Sequence, residues 1–247
     1  MKGVILAGGK GTRLDPLTRI TNKHLLPIYD RPMVTYAIEA LVNAGITELM
    51  LVTGGTHAGE FFRLLGDGHA YGIDRLFYAY QEEEGGIAEA LGLAERFVRG
   101  DRVVVMLADN VFGGPLRPFV ENFERQEGGA RILLAHLEQD EHLRHLGVAV
   151  VDEDRRVTEI VEKPSSPPSR YAVTGLYGYD TQVWDVVAEL EPSARGELEI
   201  TDVNNWYVSR GDMAADVVEG FWGDAGESID AYYAVNDHVR ANGANRS

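Results

Sequence analysis

Short apolar runs recur along the first half of the chain at intervals that leave room for one helix between each pair. Gly3–Ala7, Leu49–Thr53, Leu76–Tyr80 and Val103–Ala108 are each rich in Val, Ile, Leu or aromatic residues and bounded by turn formers, the pattern of strands buried on both faces. Between them, Met33–Asn43 places Val34, Ala37, Ile38, Leu41 and Val42 at helical spacing, and Ala88–Phe97 does the same with Ala88, Leu91 and Ala94. Such alternation predicts an α/β fold: a three-layer sandwich with a mostly parallel sheet, helices on both faces and right-handed crossovers. Ligands of these sheets lie beyond the carboxyl ends of the strands, so the loops after Ala7, Thr53, Tyr80 and Ala108 are the places to look for chemistry.

The second half is less regular. Arg131–His136, Gly147–Val151, Val157–Val161 and Ala172–Tyr179 read as strands, Thr181–Leu190 and Thr201–Arg210 as helices, with a strand near Ala214–Val218 and a last helix near Ile229–Arg240. No repeat or linker interrupts the 247 residues, which reads as one domain. A net charge of −16 disfavours nucleic-acid polymers and anionic membrane surfaces as partners. The absence of Cys removes disulfides and thiolate chemistry. The six-residue run Val103–Ala108 is far short of the roughly 20 apolar residues a membrane span needs, and no secretory core follows Met1. A cytoplasmic location is expected.

Against that acidic background, residues 1–31 carry six bases and two acids. An anion would be attracted there. Directly after the first strand comes Leu6-Ala7-Gly8-Gly9-Lys10-Gly11-Thr12-Arg13-Leu14. Glycines let backbone N–H groups approach an anion closely, and Lys10 and Arg13 add charge, so the segment reads as a phosphate cradle. It is neither of two familiar ones. A nucleotide P-loop needs Gly-Lys before Ser or Thr, and here Gly11 follows; the dinucleotide fingerprint needs a final Gly or Ala, and here Leu14 stands. The connection from this strand to the first helix runs about 25 residues, far beyond an ordinary βα loop, and holds Asn22-Lys23-His24-Leu25-Leu26-Pro27. The chain has 19 Arg but only four Lys, at 2, 10, 23 and 163. Where Arg is the default cation, a Lys suggests a need for a compact, rotatable ammonium.

These segments, together with Leu-Ala-Asp-Asn (107–110), Glu-Lys-Pro (162–164), Tyr-Ala-Val-Thr-Gly-Leu-Tyr (171–177) and Pro-Ser-Ala-Arg-Gly-Glu-Leu-Glu-Ile-Thr-Asp (192–202), resemble glucose-1-phosphate thymidylyltransferases in content and order. That family belongs to the sugar-phosphate nucleotidylyltransferases. The resemblance implies a Rossmann-like nucleotide half, about residues 1–130, interleaved with a sugar-binding half, about 131–247. It implies Mg2+-dependent joining of a nucleoside triphosphate, dTTP or alternatively UTP, to glucose 1-phosphate with release of pyrophosphate, in a homo-oligomer (dimer or tetramer). A non-catalytic nucleotide-sugar sensor on the same fold would be expected to have lost the cationic or acidic positions, and Arg13, Lys163, Asp109 and Asp224 are all present.

Carried onto this chain, the resemblance makes Arg13 the partner of the β- and γ-phosphates and Lys163 the cation at the sugar phosphate and α-phosphate. Leu6, Gly8, Gly9, Gly11, Thr12 and Lys23 would bind the nucleotide. Asp109 and Asp224 would hold Mg2+, which takes few protein ligands and keeps several waters. Gln81, at the end of a strand, and Gly86, in the next loop, would take the base, since an amide can match both N3–H and a carbonyl of thymine or uracil. Gly147, Glu162, Val173 and Arg195 would contact the sugar phosphate. Glu82 to Glu84 reads as a solvated acidic turn rather than a metal site. The chain departs from the family pattern at Asp15 (usually Tyr), Ala108 (usually Gly), Leu146 (usually Tyr) and Ala225-Gly226-Glu227 after the metal-ligand Asp. Those changes at Ala108 and Leu146 should alter pocket shape and loosen sugar selectivity. Longer family members carry C-terminal helices that build a regulatory interface site, and weaker end-product control is expected here.

Overall fold

The computed structural model describes residues 1–83 and 85–246, so Glu84 of the expected acidic turn lies outside the described residues. In chain order the strands are β1 (Lys2–Ala7), β2 (Pro27–Ile28), β3 (Arg31–Pro32), β4 (Glu48–Gly54), β5 (Arg75–Gln81), β6 (Val103–Leu107), β7 (Asn110–Phe112), β8 (Ala130–His136), β9 (Gly147–Val151), β10 (Val157–Glu162), β11 (Tyr171–Tyr179), β12 (Met213–Val217) and β13 (Trp222–Asp224). The helices are α1 (Met33–Asn43), α2 (Ala58–Leu65), α3 (Ile87–Gly92), α4 (Glu95–Val98), α5 (Arg117–Arg125), α6 (Asp140–Leu143), α7 (Val183–Glu189), α8 (Ile200–Ser209) and α9 (Ile229–Asn242).

Because successive side chains of a strand point to opposite faces, β1 divides its apolar residues between two cores. Val4 and Leu6 face a core built with α3, α4, α7 and α8, whereas Ile5 and Ala7 face one built with α1, α2 and α5. The result is a central, mostly parallel sheet between two helical layers. Parallel pairing runs through β5-β4-β1-β6, and β11 then joins β6 antiparallel, extending the sheet to β9 and β10 and, by a separate branch, to β8 and β12. Among the described residues, no helix is long and apolar enough to cross a membrane.

Several local expectations change. Two helices, α3 and α4, replace the single segment Ala88–Phe97: the first ends at Gly92, and a turn in which Ala94 N–H donates to the Leu91 carbonyl redirects the chain. Strand β6 stops at Leu107, after which Ala108 N–H still bonds the Leu6 carbonyl. The long connection after β1 is ordered by two 3-10 turns, Thr12–Leu14 and Lys23–Leu25, and by the β2–β3 hairpin. Leu14, Leu26 and Ile28 anchor it in a third core shared with Tyr232, Val235 and Val239 of α9. The Tyr232 hydroxyl donates to the Pro27 carbonyl and the Asn236 side chain accepts from Tyr29 N–H, so the last helix clamps the loop that opens the chain.

Candidate active site

The carboxyl ends of β1, β5 and β6 open onto one cleft of about 350 Å³. Fourteen of the sixteen residues expected at the site line it: Leu6, Gly8, Gly9, Arg13, Lys23, Gln81, Gly86, Asp109, Gly147, Glu162, Lys163, Val173, Arg195 and Asp224. Gly11 and Thr12 do not. Gly11 adopts a left-handed φ of 63°, and a Cβ there would lie 3.0 Å from side-chain atoms of both Lys23 and Thr18. Its role is to let Lys23 pack against the turn, while Thr12 opens the following 3-10 turn. A more open groove of about 730 Å³ lies elsewhere, by Arg125, Arg131 and Asp212, and none of the expected residues line it.

The acidic pair comes together through a two-stranded ribbon. Strand β13 pairs antiparallel with β7, placing Asp224 opposite Asn110, and Ala225 N–H donates to the Asp109 carbonyl at 2.9 Å. Burial pushes the Asp224 carboxyl up and the adjacent Asp109 charge pushes it further, to about 7. Burial acts in the same sense on Asp109, but the Lys23 ammonium, 2.5 Å from its Oδ2, together with the other groups around it, the Asn110 amide among them, outweighs burial and holds that carboxyl well below the usual carboxylate range. A buried acid and a partly buried one thus repel each other, with one ammonium paired to the first. Gly226 leaves room at this point, because a Cβ there would sit 2.5 Å from Asp109 Oδ2.

Asn110 was not expected at the site, yet it fixes the pair. Its Oδ1 accepts from Gly175 N–H at 2.8 Å and from Trp222 Nε1 at 2.7 Å, and its Nδ2 donates to Asp109 Oδ1 at 3.1 Å. His24 is equally hidden in the sequence: burial and the Lys23 charge push its imidazole down to about 3, so it stands neutral with Nδ1 2.9 Å from Asn22 Oδ1. His142 and His145 are exposed, as expected, although His145 reaches the cleft rim.

On the opposite wall, Lys163 follows β10 with a left-handed φ of 45°, uncommon for a non-glycine residue. Its N–H donates to the Leu146 carbonyl at 3.0 Å, which closes the β9–β10 hairpin and presents the ammonium to the cleft, 3.4 Å from Glu162 Oε1. Glu162 Oε2 accepts from the Thr201 hydroxyl at 2.7 Å, and a Cβ on Gly147 would come within 3.4 Å of the same oxygen. Arg195 is engaged by Glu199 through Nε and Nη2, at 3.1 and 2.8 Å, a partner the sequence did not single out. At the end of β5, the Gln81 amide reaches Glu89 and the Gly86 carbonyl.

A family model for nucleotidyl transferases matches residues 2–242. A glucose-1-phosphate thymidylyltransferase of Actinoplanes sp. is 43% identical over 244 residues, 98% of this chain and 78% of that protein. A crystal structure assigned as a glucose-1-phosphate thymidylyltransferase from Bacillus anthracis, with sucrose, superposes with a TM-score of 0.91 at 47% identity, covering 97% of this chain and 95% of the other. A UDP-glucose pyrophosphorylase bound to UDP-glucose shares the fold at a TM-score of 0.84 and 24% identity, over 97% of this chain and 98% of its own. Matched along nearly its whole length, the chain belongs to the nucleotidyl transferase family.

Proposed function

We propose that the protein joins dTTP and glucose 1-phosphate to form dTDP-glucose and pyrophosphate, as a cytoplasmic homo-oligomer. One observation carries the reading: the glycine cradle after β1, the Asp109–Asp224 pair, Lys163 and Gln81 all face a single cleft. The names of its relatives support the same reaction. The nucleotide half is assigned to residues 1–130 and the sugar half to 131–247, with the cleft between them.

Transfer proceeds by attack of a phosphate oxygen of the sugar 1-phosphate on the α-phosphorus. An oxygen–phosphorus bond forms there as the bond to the bridging oxygen breaks, and that oxygen leaves on pyrophosphate. The attacking oxygen is already ionised, so positioning and charge stabilisation supply the catalysis. Backbone N–H groups of Gly8 and Gly9 and the Arg13 guanidinium receive the triphosphate. Lys163 stands where charge on the sugar phosphate and α-phosphate must be neutralised. Glu162, Gly147, Val173 and Arg195 orient the sugar.

Asp109 and Asp224 suit a divalent cation: the β7–β13 ribbon brings the two acids together, and Gly226 has no side chain to crowd Asp109 Oδ2 and the Lys23 ammonium on it. We assign them to Mg2+, which when bound supplies charge compensation to phosphate oxygens. Lys23, now paired with Asp109, would bind the triphosphate. A 4 Å charge pair contributes about 1 kcal/mol in water and about 4 kcal/mol at an effective dielectric near 20, so exclusion of water from the cleft sets how much these cations achieve.

Pyrophosphate release measured for dTTP and UTP against glucose, galactose and glucosamine 1-phosphates tests the reading. The fastest turnover is expected with dTTP and glucose 1-phosphate. No turnover with any pair would overturn it.

A further inference from the structure

The amide of Gln81 is not free to turn. Its Nε2 lies 2.6 Å from Glu89 Oε2 and 3.2 Å from the Gly86 carbonyl oxygen. An amide nitrogen has two hydrogens, and two acceptors use both. Flipping the group would set Oε1 against a carboxylate and a carbonyl with no proton to share, a repulsive contact at a buried residue. The bond to Glu89 is charge-assisted, which strengthens the preference. The opposite end, Oε1, lies on the cleft side: a Cβ built on Gly8 of the cradle would sit 2.9 Å from it. Among the described residues no protein donor is assigned to this oxygen.

Glu89 itself is held in place for this contact. The same Oε2 accepts from Gly85 N–H at 3.0 Å, and a Cβ on Gly85 would come within 2.4 Å of the carboxylate carbon. Gly85 is therefore a glycine because the carboxylate occupies the space its side chain would need. The next residue, Gly86, has a φ of 103° and lies against Leu198, whose N–H donates to the Gly85 carbonyl at 2.7 Å. The loop that carries Glu89's partners is thus tied to the segment before α8.

The geometry points to Glu89 as a positioning residue that makes Gln81 an acceptor only, so that the base subsite selects pyrimidines carrying a ring N3–H, thymine and uracil, over cytosine, whose N3 is a lone pair. This deepens the proposed nucleotidyl transfer and rests on it. Without Glu89, only the longer bond to the Gly86 carbonyl would hold the amide's direction, and Gln81 would present its other end far more readily. Buried polar groups built to hydrogen-bond one partner reject the mismatched one strongly.

The test compares dTTP with dCTP, which share the same sugar, in the wild-type protein and in Glu89→Gln, whose amide can satisfy Gln81 in both orientations. Wild type is expected to favour dTTP in kcat/KM by about 100-fold or more, and Glu89→Gln to cut that ratio by about tenfold or more. The change should fall on KM for the triphosphate, with KM for glucose 1-phosphate and the melting temperature held. Gly85→Ala, which displaces the carboxylate by sterics, should lower the ratio in the same direction. The inference is overturned if wild type accepts dCTP as readily as dTTP, or if a folded Glu89→Gln keeps the wild-type ratio, including by losing both activities in proportion. Absence of turnover with any triphosphate would instead overturn the nucleotidyl-transfer reading, and equilibrium binding of dTTP and dCTP to both proteins would still decide the role of Glu89.

Discussion

Lys163 shows how much one side chain owes to its backbone. A left-handed φ in a lysine is costly, and such conformations persist where the surrounding structure over-determines them. Here the Leu146 carbonyl and the β9–β10 hairpin supply that constraint. Lys163→Ala should lower kcat by more than about tenfold, measured as pyrophosphate release, because a charge-stabilising donor contributes a few kcal/mol to the transition state; near-normal turnover would remove Lys163 from the mechanism. The scarcity of lysines in this chain drew attention to it, and the Glu-Lys-Pro resemblance gave it its proposed role. Asn110 and His24 lay inside segments that were singled out, but their roles were not legible, since a sequence does not show which buried groups an amide or an imidazole meets; Glu89 carried no mark of its own. Gly11 and Thr12 differ from the rest of the cradle: a glycine-rich run looks uniform on paper, yet of its glycines only Gly8 and Gly9 line the cleft.

At the scale of elements, the contacts that matter most are made by the least periodic pieces. The ribbon of β7 and β13 is three residues a side, too short for an alternation signal, yet it brings the two acids together. Helix α9 was visible, with a Ser228 cap whose hydroxyl accepts from Ala231 N–H. Its purpose was not, because its partners lie in the loop after β1, two hundred residues earlier. That packing yields a prediction: Val235, buried against Ala225 and the loop core, should cost about 2 kcal/mol when cut to Ala. A denaturant midpoint would read the loss, and proteolysis within residues 15–26 should accelerate with it. An unchanged midpoint would mean that α9 does not clamp the loop. Three helices were not read from the sequence, α2, α5 and the four-residue α6; α2 and α5 each bury one face, Phe61 and Leu65, and Phe119, Val120 and Phe123, so their helical spacing was there to be read.

For the molecule as a whole, an acidic chain offers a polyanion a cleft that sets cations and acids side by side. The cleft combines Arg13, Lys23, Lys163 and Arg195 with five acids, Asp109, Glu162, Glu197, Glu199 and Asp224. Such a site balances only when a divalent cation joins the phosphates, so chelation should abolish turnover and added Mg2+ restore it, with dTTP and Mg2+ together raising the melting temperature more than dTTP alone. Undiminished activity in excess chelator would contradict the assignment of Asp109 and Asp224. The linear chain was enough to determine the layered α/β order and the strand ends that border the cleft, because periodicity and local turn chemistry are encoded within a few neighbouring residues, while the charged residues proposed for the site came from the family resemblance. Only the tertiary structure decided that Asp224 meets Asp109, that Lys23 rests between acid and cradle, and which end of Gln81 faces the cleft. Those are pairings between segments remote in the chain, set by strand register and by where buried polar groups find their hydrogen-bond partners.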